Sequence, residues 1–201
     1  MRLVCIHVGK TGGVHVHRVL RDGNINHIWL GHCTPLTDAA REFPSEQLLI
    51  GIREPVEHAL SAFEARRRKE ARWSQREREF FTRFPDAQCW CEGLGTPEAD
   101  SAFEFLGHVS SGLPHYFGRD SREHLDRTWI YDTQTLSSCM CVLFERLGCP
   151  VPIENQRKHN ASPSRVDVAQ LERERLRERL DEAVQLYREL KPLTLTQRGV
   201  G

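Results

Sequence analysis

The stretch Leu3-Val4-Cys5-Ile6-His7-Val8-Gly9-Lys10-Thr11-Gly12-Gly13-Val14-His15 decides the fold. Its first half is an apolar run rich in β-branched residues, which reads as a buried strand. The run stops at a glycine, a lysine, a threonine and two further glycines. Val14, Val16, Val19 and Leu20 then recur at helix-compatible spacing. Strand, glycine-rich turn and helix aim successive backbone N–H groups, and a helix's positive end, at one point in space. An anion, most often a phosphate, is the natural occupant. The spacing is not that of a nucleotide-triphosphate loop, because Cys5 stands where that loop's first glycine would fall. An ordinary strand-to-helix turn with a solvated lysine is the plain alternative.

A chain of 201 residues, 39% hydrophobic and 28% charged, can bury a sizeable core and is expected to form one soluble domain over 1–201. Its formal net charge of zero gives no bulk electrostatic case for nucleic acid or an anionic membrane. Arginine greatly outnumbers lysine, which occurs only at Lys10, Lys69, Lys158 and Lys191. No signal peptide or membrane span is visible. With seven cysteines, an odd number, this predicts reduced thiols and a cytoplasmic protein. Cys89-Trp90-Cys91 and Cys139-Met140-Cys141 lack zinc-knuckle spacing and read as core or incidental cysteines.

Further strands are expected at 25–30, 47–52 and 128–131. Helices are expected to start near Thr37 or Asp38, at Pro55, and over 101–110, 135–147 and 166–191. Residues 113–118 read as a loop. The segment 71–121 reads as a helical insertion or lid. Leu176, Leu180, Val184, Tyr187 and Leu190 make the apolar stripe of the last helix. Strands alternating with helices predict an α/β fold, a mainly parallel sheet with helices on both sides.

Four stretches, in order, resemble the motifs of the Golgi-type carbohydrate sulfotransferases and their bacterial relatives. Ile6 to Gly13 is similar to the strand and Pro-Lys-Thr-Gly-Gly-Thr-Ser loop that opens the family. Ile50-Gly51-Ile52-Arg53-Glu54-Pro55 resembles its strand and Arg-Asp-Pro, with Ser61 eight residues after the arginine. Trp129-Ile130-Tyr131-Asp132-Thr133-Gln134-Thr135-Leu136 resembles the strand before a late helix, and Asn160-Ala161-Ser162 the family's tail. The resemblance implies a P-loop-like fold and transfer of a sulfuryl group from 3′-phosphoadenosine 5′-phosphosulfate to a hydroxyl on a carbohydrate or small-molecule acceptor. It implies no metal, and no Asp-rich cluster for one occurs.

Residue by residue, Gly9, Lys10, Thr11, Gly12, Gly13, Val14 and His15 align with the 5′-phosphosulfate loop. Arg53, a planar fork suited to phosphate, and Ser61 align with the 3′-phosphate site. Lys158 and Asn160 are placed to close over the nucleotide. Lys10 would neutralise the leaving oxygen. His32 leads as the base that deprotonates the acceptor, ahead of His15, His17 and Glu54, while His7 reads as structural. Gly9 replaces the family's proline, and Val14 and His15 stand where Thr and Ser offer hydroxyls. The arginines at 66–68 suit either an acidic saccharide or a solvated face. A binding protein on a degenerate sulfotransferase fold, and a P-loop nucleotide kinase, are the competing readings.

Overall fold

The computed structural model describes residues 2–151 and 166–197, which divide into two compact units. Of the described residues, the first unit holds 2–53, 113–151 and 186–197, and the second 54–112 and 166–185. The segment expected as an insertion is therefore shared: up to Gly112 it belongs to the second unit, from Leu113 to the first.

The first unit holds a four-stranded, all-parallel sheet of β1 (Leu3–Ile6), β2 (His27–Leu30), β3 (Gln47–Ile52) and β4 (Thr128–Asp132), in the order β2-β1-β3-β4. Cys5 pairs with Trp29 on one side and Leu49 on the other. Side-chain alternation divides the core cleanly. Leu3, Cys5, Leu49 and Tyr131 pack against α1 (Gly13–Asp22) through Val16, Val19 and Leu20. On the same face lies α9 (Leu136–Arg146), through Cys139, Met140, Leu143 and Phe144. Val4, Ile6, Leu48, Ile50, Ile52 and Ile130 face the other way. There they meet α2 (Leu36–Glu42), α8 (Leu113–Tyr116), and Tyr187 and Leu190 of α11 (Asp181–Leu190).

The second unit is helical: α3 (Pro55–Arg67), α4 (Gln75–Arg83), α5 (Ala87–Glu92), α6 (Pro97–Asp100), α7 (Ala102–Phe105) and α10 (Gln170–Arg179). Its core is aromatic, with Phe63 stacked on Trp90 at 5.0 Å and edge-on to Phe80 and Phe81. Pro55 opens α3 as expected, and the Glu54 carboxylate caps that helix by accepting the Glu57 N–H at 2.9 Å.

Several expectations need correction. Residues 113–116 are helical, not loop. The helix expected over 101–110 stops after Phe105, and Gly107 follows at φ 45°. The long final helix is two helices, broken at Leu180 (φ −104°, ψ 20°). The second strand starts at His27, and Pro35, not Thr37 or Asp38, precedes α2. Two arginines of the basic run are paired within the second unit. Arg66 forks onto Glu77, and Arg67 donates to Glu64 at 2.9 Å. All seven cysteines are free thiols. Among the described residues, no helix is long and apolar enough to cross a membrane.

Candidate functional site

The strand order reverses direction at β1: the chain steps outward to β2, then returns to the far side of β1 to build β3 and β4. In an open parallel sheet such a switch point leaves a crevice beyond the carboxyl ends of the two central strands, and ligands bind there. The β1–α1 loop and Arg53 both stand at this crevice.

Gly12 precedes α1 in the left-handed conformation (φ 79°), which glycine adopts at no steric cost. A Cβ there would also lie 2.9 Å from Leu136 Cδ2. No side chain caps the helix, and the N–H groups of His15 and Val16 both turn to the Gly12 carbonyl. The amides of Gly13 and Val14, one turn's leading edge, are the donors such a helix end presents to an anion. Gly13 has a different reason to be glycine. A Cβ on it would sit 2.4 Å from His7 Cδ2, 2.8 Å from His7 Nε2 and 3.2 Å from Trp29 Cη2. The missing side chain makes room for an imidazole.

Lys10 is left-handed too, at φ 65°, a conformation that costs a non-glycine residue roughly 1–2 kcal/mol. It is held there by Arg53, whose Nη1 donates to the Lys10 carbonyl at 3.1 Å. Both side chains are half-buried. The guanidinium expected at one anion pocket thus buttresses the loop of the other.

Further hydrogen bonds brace the loop and the strand ends beside it. The Thr11 hydroxyl, fully buried, donates to the Val8 carbonyl at 2.8 Å and also shares a hydrogen bond with the Tyr131 hydroxyl. Burial pushes the Tyr131 phenol up, and the bond to Thr11 opposes it. Tyr131 reaches Thr11 by crossing Gly51, where a Cβ would lie 2.4 Å from its ring. The Tyr116 oxygen accepts the N–H groups of Cys33, at 3.4 Å, and of Gly9. Burial raises this phenol also, and those two N–H groups pull the other way. Thr133 donates to the Ile52 carbonyl at 3.0 Å, tying the end of β4 to the end of β3. The hydroxyl of Thr11 and the amide of Gly9 are therefore engaged within the fold, which narrows the cradle expected over residues 9–15.

Val14 is 48% exposed, so it is not part of the α1 core stripe, whereas His15 is buried. His32 is exposed on the turn after β2 and lies against His7, ring centroids 4.0 Å apart and 36° tilted. His7 continues to Trp29 (4.8 Å) and Trp29 to His17 (4.7 Å). His17 Nδ1 and His27 Nε2 are 3.0 Å apart, and His27 Nδ1 meets the Ile25 carbonyl at 2.7 Å. Partial burial, then the neighbouring His27 and Arg21, hold His17 below the usual imidazole range.

The structure thus brings together Gly9 to Gly13, Lys10, Arg53, His7 and, through His7, His32. Ser61 is buried on α3 in the second unit. Lys158 and Asn160 lie outside the described residues. Among the described residues, no three His, Cys, Asp or Glu side chains converge as a metal site would require. Sequence reasoning missed Tyr116 and Tyr131, whose partners lie far along the chain. Gly51 within an otherwise bulky strand was the one trace of Tyr131.

No family model matches the chain, and neither characterised proteins nor solved structures show significant similarity to it.

Proposed function

We propose that this protein is a sulfotransferase of P-loop-like fold that binds 3′-phosphoadenosine 5′-phosphosulfate at the β1/β3 switch point and serves an acceptor hydroxyl, on a saccharide or small molecule. The observation that carries the reading is the Arg53–Lys10 contact. It joins a phosphate-binding fork to a left-handed, glycine-flanked loop at the end of the adjacent strand. The donor set fits a nucleotide with two separated anionic groups. It offers a guanidinium, an ammonium and helix-end amides, all able to meet an anion, as the resemblance to the carbohydrate sulfotransferases leads one to expect.

When bound, the donor supplies a sulfuryl group on a phosphate leaving group. Lys10 and the α1 amides stabilise negative charge at the helix end without reorganising. Arg53 binds phosphate and, through the Lys10 carbonyl, keeps the loop in its left-handed form. His32 takes up the proton released as the acceptor's O–H bond breaks and its oxygen bonds to sulfur. Positioning and electrostatics carry most of the rate in such transfers.

The test is release of adenosine 3′,5′-bisphosphate from the donor with desulfated chondroitin or heparin as acceptor. Acceptor-dependent release that His32→Ala lowers supports the reading. Its absence with every acceptor, from protein that binds the bisphosphate, favours a binding protein. That second reading draws on one observation: the exposed Val14 side chain brings no hydroxyl to the helix end.

A further inference from the structure

We propose that His7 is a positioning residue: it is the shelf that holds the His32 imidazole in front of the first turn of α1. The two imidazoles differ in how they are fixed. His32 is exposed and sits between Gly31, which has open space around it, and Cys33, which is left-handed at φ 72°. His7 is half-buried and lodged in a slot. One edge, bearing Cδ2 and Nε2, lies over the Cα of Gly13, and Trp29 stands against the ring at 4.8 Å.

The slot explains two residue choices at once. Gly13 must be glycine because any Cβ would enter the imidazole. Trp29 follows from the parallel register: Cys5 pairs with Trp29, and His7 is two residues beyond Cys5, on the same face of the sheet. A ring held in a slot limits where a second ring packed against it can go. His32 is thus in ring contact, centroids 4.0 Å apart, with a group whose own edge lies against Gly13 at the helix end. The catalytic half of this inference rests on the sulfotransferase reading; the geometric half does not.

The experiment has two arms on the intact chain, with His7→Ala, His7→Phe, His32→Ala and the double variant His7→Ala/His32→Ala. The first arm is the proton NMR spectrum of the histidine rings at a pH where they are neutral, with His32 assigned by its loss in His32→Ala. The His32 ring protons should lose their ring-current shift in His7→Ala and keep it in His7→Phe, which retains a flat ring. Unchanged His32 resonances in His7→Ala overturn the proposal.

The second arm is turnover of the donor with desulfated chondroitin, alongside titration with adenosine 3′,5′-bisphosphate. His7→Ala should lower kcat about three- to tenfold, the range one aromatic contact supports. His7→Phe should restore it, and bisphosphate affinity should change less than about twofold, since His7 acts through another residue. On the His32→Ala background, His7→Ala should add nothing. An equal loss on both backgrounds also overturns the proposal. Absence of turnover in the wild-type protein sinks the sulfotransferase reading instead, and the ring-shift arm still decides whether His7 holds His32.

Discussion

Adding one methyl group at Gly13 tests the architecture of the loop by a change of sign. Gly13→Ala places a carbon 2.4 Å from His7 Cδ2 and 3.2 Å from Trp29 Cη2, well inside the roughly 3.5–4.0 Å at which carbon atoms attract. Overpacking of this kind costs roughly 1–3 kcal/mol. Against it stands the ordinary benefit of alanine over glycine in a helix, roughly 0.5–1 kcal/mol. The net expectation in the wild-type background is a loss of about 1 kcal/mol, or about 2–4 °C in Tm for a chain of this size. In a His7→Ala background the obstructing ring is gone. The same methyl then enters the space it left, and Gly13→Ala should stabilise the protein by about 0.5–1 kcal/mol. The four proteins of this cycle can be compared by urea unfolding followed by far-UV circular dichroism, with midpoints compared at unchanged slope. A Gly13→Ala effect of the same sign and size in both backgrounds refutes the placement of His7 over the helix end.

Two other predictions concern stability. Hydrogen bonds from Arg66 hold the Glu77 carboxyl down at about 2, aided by the Ser74 cap and opposed by desolvation. The folded value lies below the ordinary one, so the stabilisation is complete above about pH 4.5 and is lost as pH falls toward 2. Its size is on the order of 2 kcal/mol, allowing for Arg66 being partly exposed. Glu77→Gln should thus unfold at lower urea than wild type at neutral pH, with the gap closing progressively in acid; a gap independent of pH contradicts the assignment. Thr11→Val leaves the Val8 carbonyl and the Tyr131 hydroxyl buried without their partner and should cost about 2–3 kcal/mol, whereas Thr11→Ser should cost under about 1 kcal/mol. Equal losses in the two variants, measured by thermal denaturation, contradict the hydroxyl chain.

The sheet was legible because its strands are short apolar runs that end at loop signals. The 47–52 strand and Pro55 as the opening of α3 fell where the residues placed them. The crevice was legible for the same reason, since glycines and Arg53 mark two strand ends. The final helix was not. Leu176, Val184, Tyr187 and Leu190 keep one apolar periodicity straight through Leu180, and only the backbone there records the break. The aromatic segment after residue 71 lacks a period because its phenylalanines and tryptophans pack against one another from several short helices rather than along one face. In the site, the backbone-shaping role of Gly12 was readable, but that of Gly13 was not, because it depends on a ring six residues earlier. Alternation along β1 does put His7 on the α1 face with Leu3 and Cys5, a clue that marks a role at the helix end. Arg66 and Arg67 look available in sequence, because their carboxylate partners at positions 77 and 64 are visible only once the helices are placed.

The claim on which the rest depends is that the ends of β1 and β3 form one binding site for a nucleotide bearing two separated phosphates. Isothermal titration with adenosine 3′,5′-bisphosphate, on wild type, Arg53→Lys and Arg53→Ala, tests it most directly. The account predicts saturable binding by the wild type, weakened at least about tenfold in Arg53→Ala and to a lesser degree in Arg53→Lys, which keeps the charge but loses the fork. Wild-type protein that is folded and takes up no bisphosphate, or Arg53→Ala protein that binds it as tightly as wild type, contradicts the account.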